Sequence, residues 1–107
     1  MATRELKGQI EFFEKFGQML SAGVPLGVTL RLLKEDLGSR GVKKEVTKIC
    51  VQLETMDAKF KKFPEAFDPK FFGPCVRAMV RAGVLGGTLD YACLKIANCL
   101  RAELPGR

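Results

Sequence analysis

Residues 18–30 read QMLSAGVPLGVTL, and residues 77–89 read RAMVRAGVLGGTL. Aligned at an offset of 60, Met19 matches Met79, Ala22 matches Ala82, Gly23 matches Gly83, Val24 matches Val84 and Gly27 matches Gly87. Each copy lies between two apolar stretches. A glycine at the end of a helix accepts a left-handed backbone without a Cβ clash. A proline just inside the next helix gives up an N–H that would have no partner there. Ala22-Gly23-Val24-Pro25 therefore predicts a tight turn between two helices. Ala82-Gly83, with Gly86-Gly87 after it, predicts a second.

Outward from these turns the apolar residues follow the spacing of one helix face. The stripes are Leu6, Ile10, Phe13, Gly17, Leu20; then Leu26, Leu30, Leu33, Leu37; then Val42, Val46, Ile49, Leu53. A short piece holds Met56, Phe60 and Phe63. Two more stripes follow: Phe72, Val76, Met79, Gly83, and Leu89, Cys93, Ile96, Leu100. No stretch alternates with period two for long enough to argue a strand. Gly38-Ser39-Arg40-Gly41 separates the second and third helices, Thr55 is a candidate N-cap for the fourth, and Pro64 with Asp68-Pro69 breaks the chain before the fifth. The predicted helices are 6–21, 25–37, 41–54, 56–63, 69–82 and 87–103. Short connections between them imply antiparallel neighbours. The expected fold is all-α: a six-helix antiparallel bundle made of two related three-helix halves. The expectation is a single domain over 1–107, with its core at about 10–103.

The 107 residues contain 18 Lys+Arg, 12 Asp+Glu, four Cys and no His. Without His there is no Ser-His or Cys-His pair and no mixed His/Cys zinc site. No carboxylate pair stands apart from ordinary helix-surface charge such as Glu11 with Lys15. The glycines of G-V-L-G-G-T open a helix, as a phosphate cradle does, but neither a preceding strand nor a Lys-Ser/Thr ending accompanies them. The expectation is a chain that is not an enzyme and holds no metal or cofactor.

The net charge is +6, with nine basic and six acidic groups in 1–53 and the same numbers in 54–107. So even a bias argues for a solvated lysine-rich surface over a nucleic-acid-binding bundle, which concentrates its basic residues on one face. Cys50, Cys75, Cys93 and Cys99 have no metal-ligand spacing. Their apolar neighbours predict thiols packed in the core in a reducing compartment. The N-terminus is charged where a signal peptide is apolar. The longest uncharged stretch, Phe16 to Leu30, is too short to span a bilayer.

Two surfaces stand out. Lys43, Lys44 and Lys48 lie off the apolar stripe of the third helix, Lys59, Lys61 and Lys62 crowd the fourth, and Arg77 and Arg81 share a face of the fifth. These residues form either a solvated face or a basic patch for an acidic partner. Phe12, Phe16 and Met19 widen the apolar face of the first helix, as core or as a dimer seam.

FGQMLSAGVPLGVTLRLL resembles the signature of the inner-membrane platform proteins of type II secretion and type IV pili, the GspF/PilC family. Phe16, Met19, Leu20, Ala22, Gly23, Val24, Pro25, Leu26 and Leu30 fit its first hairpin. Ala82, Gly83, Gly87 and Leu89 fit the second signature, usually A-G-E-x-S-G-x-L. EAFDPKF resembles the segment before the fifth helix. Where the family has Glu and Ser, this chain has Val84 and Gly86, so no role of those side chains carries over. Leu53 stands where a glycine usually precedes the fourth helix. The resemblance implies a non-catalytic domain at the cytoplasmic face of the bacterial inner membrane. Its implied partners are the secretion or pilus assembly ATPase and other platform proteins, with a homodimer open and no nucleic acid expected. Family members usually carry two such domains and three transmembrane helices. The resemblance thus implies a soluble cytoplasmic domain, cut out or stand-alone, that meets the membrane only through segments outside this chain.

Overall fold

The computed structural model describes residues 3–55 and 62–106. Its elements are α1 (Thr3–Ser21), α2 (Leu26–Asp36), α3 (Arg40–Thr55), a 3-10 turn (Phe63–Ala66), α4 (Pro69–Phe72), α5 (Pro74–Gly86) and α6 (Leu89–Arg101). The described residues form an all-helical bundle. The fourth predicted helix, 56–63, lies outside the described residues apart from its last two positions, and with it Met56, Phe60, Lys59 and Lys61.

Helix α1 organises the bundle. Its most extensive interface is with α6, and it also packs on α2 and α3. The α1–α6 pair is antiparallel: Glu14 is ion-paired with Arg101 near one end, and the Ser21 hydroxyl donates to Asp90 Oδ2 at 2.9 Å near the other. Gly17 makes this approach feasible. A Cβ there would stand 2.9 Å from the Asp90 carbonyl oxygen and 3.1 Å from Leu94. Lys15 joins α1 to α2 through Asp36 at 3.3 Å and pairs with Glu11 one turn back at 3.4 Å.

The core is built on phenylalanine. Phe12, Phe13, Phe16, Phe63 and Phe67 are fully buried. Phe13 meets the rings of Phe12 at 5.0 Å and of Phe67 and Phe72 at 6.0 Å. Phe16 meets Phe63 edge-on at 6.0 Å. Edge-to-face pairs at these separations add to the gain from burial. Phe12 and Phe16 are thus core, and Met19 packs half-buried against it.

The first turn has the expected form. Gly23 has φ +88°. Its N–H donates to Leu20 O, and the Val24 N–H donates to Met19 O, both at 3.0 Å. This pair of bonds is a Schellman closure, which satisfies carbonyls the helix end leaves open. No atom lies within 4 Å of where a Gly23 side chain would begin, so only the backbone objects to a substitution there. Gly23→Val is expected to cost about 1 kcal/mol or more in urea denaturation, because a β-branched residue resists positive φ. An unchanged midpoint would show that the cap relaxes freely.

The second turn corrects the sequence reading. Ala82 and Gly83 do not terminate the helix; α5 runs on to Gly86. The left-handed residue is Gly87, with φ +69°. Its N–H donates to Val84 O at 3.4 Å, and Thr88 N–H donates to Gly83 O at 2.8 Å. The same Schellman pattern therefore recurs at an offset of 64, with Gly87 in the place of Gly23. The reason lies in packing. Gly83 and Val84 are buried, so the apolar face continues past Ala82, and one more helical turn covers it.

The fifth predicted helix, 69–82, is two helices. Asp68 caps α4 by accepting from Lys70 N–H at 2.9 Å. Gly73, at φ +88°, then breaks the chain before Pro74 starts α5. A proline nitrogen has no hydrogen to donate and its ring crowds the preceding turn, so the two helices cannot fuse. Thr55 is the last residue of α3, and its hydroxyl donates to Gln52 O at 2.9 Å; the start of the helix it is read as capping lies outside the described residues. Pro25 stands one residue before α2, as its N-cap.

Candidate interaction surfaces

Three surface regions bear the residues singled out by sequence. The first is the end of the bundle where both Schellman turns lie, joined by the Ser21–Asp90 bond. Leu20, Leu26, Gly87, Leu89 and Asp90 line a shallow depression of about 340 Å³ there. The structure thus brings together Leu26, Gly87 and Leu89. Gly83 lies beneath, where a Cβ would sit 2.7 Å from the Ala92 methyl and 3.0 Å from Leu89 Cα. Ala22, Gly23, Pro25 and Ala82 are exposed and Val24 is half-buried. Leu85 and Tyr91 also expose most of their surface, and the Lys95 ammonium lies 5.6 Å from the Tyr91 ring centre.

The second region holds the basic residues. Lys43 and Lys44 are exposed on α3. Lys48, also exposed, pairs with Glu45 at 3.1 Å. Arg77 is half-buried and turns back onto the chain: its Nε donates to Phe67 O at 2.9 Å and its Nη2 to Glu65 O at 3.1 Å. Arg81 donates to Glu65 Oε1 at 2.7 Å. Both arginines thus tie α5 to the 3-10 turn. Lys48 and Arg77 meet in one cleft of about 290 Å³ with Glu45, Glu65 and Asp68, so their positive charge faces carboxylates of the same chain. Lys62 is exposed.

The hydrogen bond from Arg81 holds the Glu65 carboxyl below its ordinary pKa, and the charges of Arg81, Arg77 and Lys62 act in the same direction. A carboxylate with a lowered folded-state pKa contributes stability that is present above the unfolded value and lost as pH falls through the folded one. The groups are well exposed, so the contribution is small and screened by salt. Arg81→Gln is expected to move the Glu65 titration upward toward an ordinary glutamate. Carboxyl-carbon NMR reads this directly, and an unmoved midpoint would show that the pair does not persist in solution.

The third region was not anticipated. At the far end of the α5–α6 hairpin, Phe71, Phe72, Val76, Met79, Ile96 and Leu100 line a groove of about 520 Å³, with Glu5, Lys70 and Glu103 among its polar residues. Cys75 and Cys99 also line it, and both are exposed. The expectation of four core thiols therefore holds only for Cys50 and Cys93. Burial raises both of these thiols, Cys93 to about 12 with Asp90 adding to the effect. Apolar neighbours in sequence misled because Cys75 and Cys99 fall off their helices' buried faces. Among the described residues no group of His, Cys, Asp or Glu is arranged to hold a metal ion. Among them, too, no helix is long and apolar enough to cross a membrane.

Comparison with known proteins gives one result. Residues 12–104 match the protein family described as type II secretion system (T2SS), protein F. Neither a search of curated proteins nor one of solved structures returns a match. The family match spans both turns and every helix from the middle of α1 onward, and on that basis the chain belongs to the type II secretion system protein F family.

Proposed function

We propose that this chain is a non-catalytic interaction domain of an inner-membrane assembly platform, working in type II secretion or type IV pilus biogenesis. It meets the assembly ATPase and other platform components at the cytoplasmic face of the membrane. The observation that carries this reading is the family match over 12–104. A packed aromatic core and helices tied end to end suit a part that works by contact.

Within the basic region, Lys43 and Lys44 are the residues best placed for a partner. Lys48, Arg77 and Arg81 already have partners within the chain. Lys43 and Lys44 stand exposed on successive positions of α3. An acidic surface of the ATPase would meet them without breaking an internal bond.

The test is a pull-down with the N-terminal domain of the assembly ATPase. Binding is expected, and it should weaken as salt rises past the point where the screening length falls below about 10 Å. Charge reversal at Lys43 and Lys44 should weaken it further, while reversal at Lys48 should matter less. Binding that ignores all three would remove α3 from the interface. No binding to any platform component would remove the platform role.

A further inference from the structure

The four cysteines divide into two kinds. Cys50 and Cys93 are buried; Cys75 and Cys99 are exposed and line one groove. The geometry of the hairpin accounts for their shared groove. Near its turn, Gly83 of α5 faces Ala92 of α6 at near-contact distance. Seven or eight residues rise about 10–12 Å along a helix, two turns or a little more. Eight back from Gly83 is Cys75, and seven on from Ala92 is Cys99. The two residues therefore lie at about the same level of the antiparallel pair, away from its turn, and both line the groove there.

Cys75 also sits two residues after Gly73, whose left-handed backbone breaks α4 from α5. The first turn of α5 is thus joined to the rest by the most permissive residue type. A disulfide needs Cα atoms about 4.4–6.8 Å apart. Gly73 is the joint about which the first turn of α5 would turn to bring Cys75 within that range of Cys99.

We infer that Cys75 and Cys99 are a redox-convertible thiol pair, oxidised to an intramolecular disulfide by a low-molecular-weight disulfide such as oxidised glutathione. One exposed thiolate attacks a glutathione sulfur, forms a mixed disulfide and releases one glutathione thiol. The other cysteine then attacks the protein-bound sulfur, forms the Cys75–Cys99 bond and releases the second. The two protein thiols lose two electrons and two protons in all, and one disulfide becomes two thiols. The second step is intramolecular, so an effective concentration on the order of millimolar or more favours it over a second adduct. The bond fastens the start of α5 to the end of α6 across the groove.

The test uses the whole reduced chain. After incubation with oxidised glutathione and removal of small molecules, thiols are counted in denaturant. Two of the four should be lost. Intact mass should fall by two hydrogens, a digest should yield a peptide joining Cys75 to Cys99, and a non-reducing gel should show monomer. Cys75→Ser and Cys99→Ser should each keep one glutathione on the remaining exposed cysteine. Four thiols retained, glutathione held on both cysteines, a bond to Cys50 or Cys93, or a cross-linked dimer would each overturn the inference. The principal measurement is on the unsubstituted protein, so it does not depend on how the variants fold.

Discussion

Phe13→Ala is expected to lower the unfolding free energy by about 3–5 kcal/mol, the usual range for deleting a buried phenylalanine ring. Phe13 is fully buried and touches the rings of Phe12, Phe67 and Phe72. Those three come from α1, the segment after the 3-10 turn, and α4. Their removal from Phe13 therefore loosens three parts of the chain at once. The cavity cannot close easily, because Phe12 and Phe67 are themselves held in place by further rings. Domains are stable by only about 5–15 kcal/mol, so this one change removes a large share of the total. Urea denaturation followed by far-ultraviolet circular dichroism measures it. A loss under about 1 kcal/mol would mean the core refills the space. Phe13→Leu keeps most of the volume and should cost much less.

The second large effect belongs to Gly83→Leu, with an expected loss of about 2 kcal/mol, a steric cost at the top of its usual range less the helix gain. Two terms compete. A better helix former in mid-helix gains about 1 kcal/mol. Against it, a Cβ at 2.7 Å from the Ala92 methyl and 3.0 Å from Leu89 Cα forces α5 and α6 apart, and overpacking of this kind costs about 1–3 kcal/mol, occasionally more. The rest of a leucine side chain has nowhere to go at that seam, so the steric term wins. Gly83→Ala isolates the first contact. Pairing it with Ala92→Gly should restore part of the loss, leaving the Leu89 contact. Absence of any coupling in that double-mutant cycle would place Gly83 elsewhere. Gly23→Val, by contrast, acts through φ alone, with no neighbour to relieve.

These two glycines also show where sequence reasoning stopped. The apolar stripes gave α1, α2, α3 and α6 to within about three residues, because burial of one face dictates helical spacing whatever the partner. The Ala-Gly-Val match then suggested that Gly83 repeats the role of Gly23. Chemistry at the letter level is the same at both positions, but a helix ends where its buried face ends. Val84 is buried and needs one more turn, so Gly87 takes the left-handed place. The break at Gly73-Pro74 was legible, since a proline after glycine halts a helix, yet the stripe from Phe72 through Met79 concealed it.

The candidate surfaces were legible in part. Lys43 and Lys44 lie where helical geometry put them. The engagement of Arg77 and Arg81 with Glu65 was not, because it spans 12 and 16 positions and depends on how α5 meets the 3-10 turn. The thiol pair was invisible for the same reason. Cys75 and Cys99 line one groove only once the α5–α6 hairpin is closed.

The Ser21–Asp90 bond has a mechanical corollary. It clamps one hairpin's bend to the other's, so the tip bearing both bends travels as one piece. About 20 Å away along α5, the chain changes direction at Gly73 with no helix running through it. A load applied across the bundle would leave the clamped tip rigid and pass along α5 to that joint, where the Arg77 bonds to the Phe67 and Glu65 carbonyls carry it into the 3-10 turn.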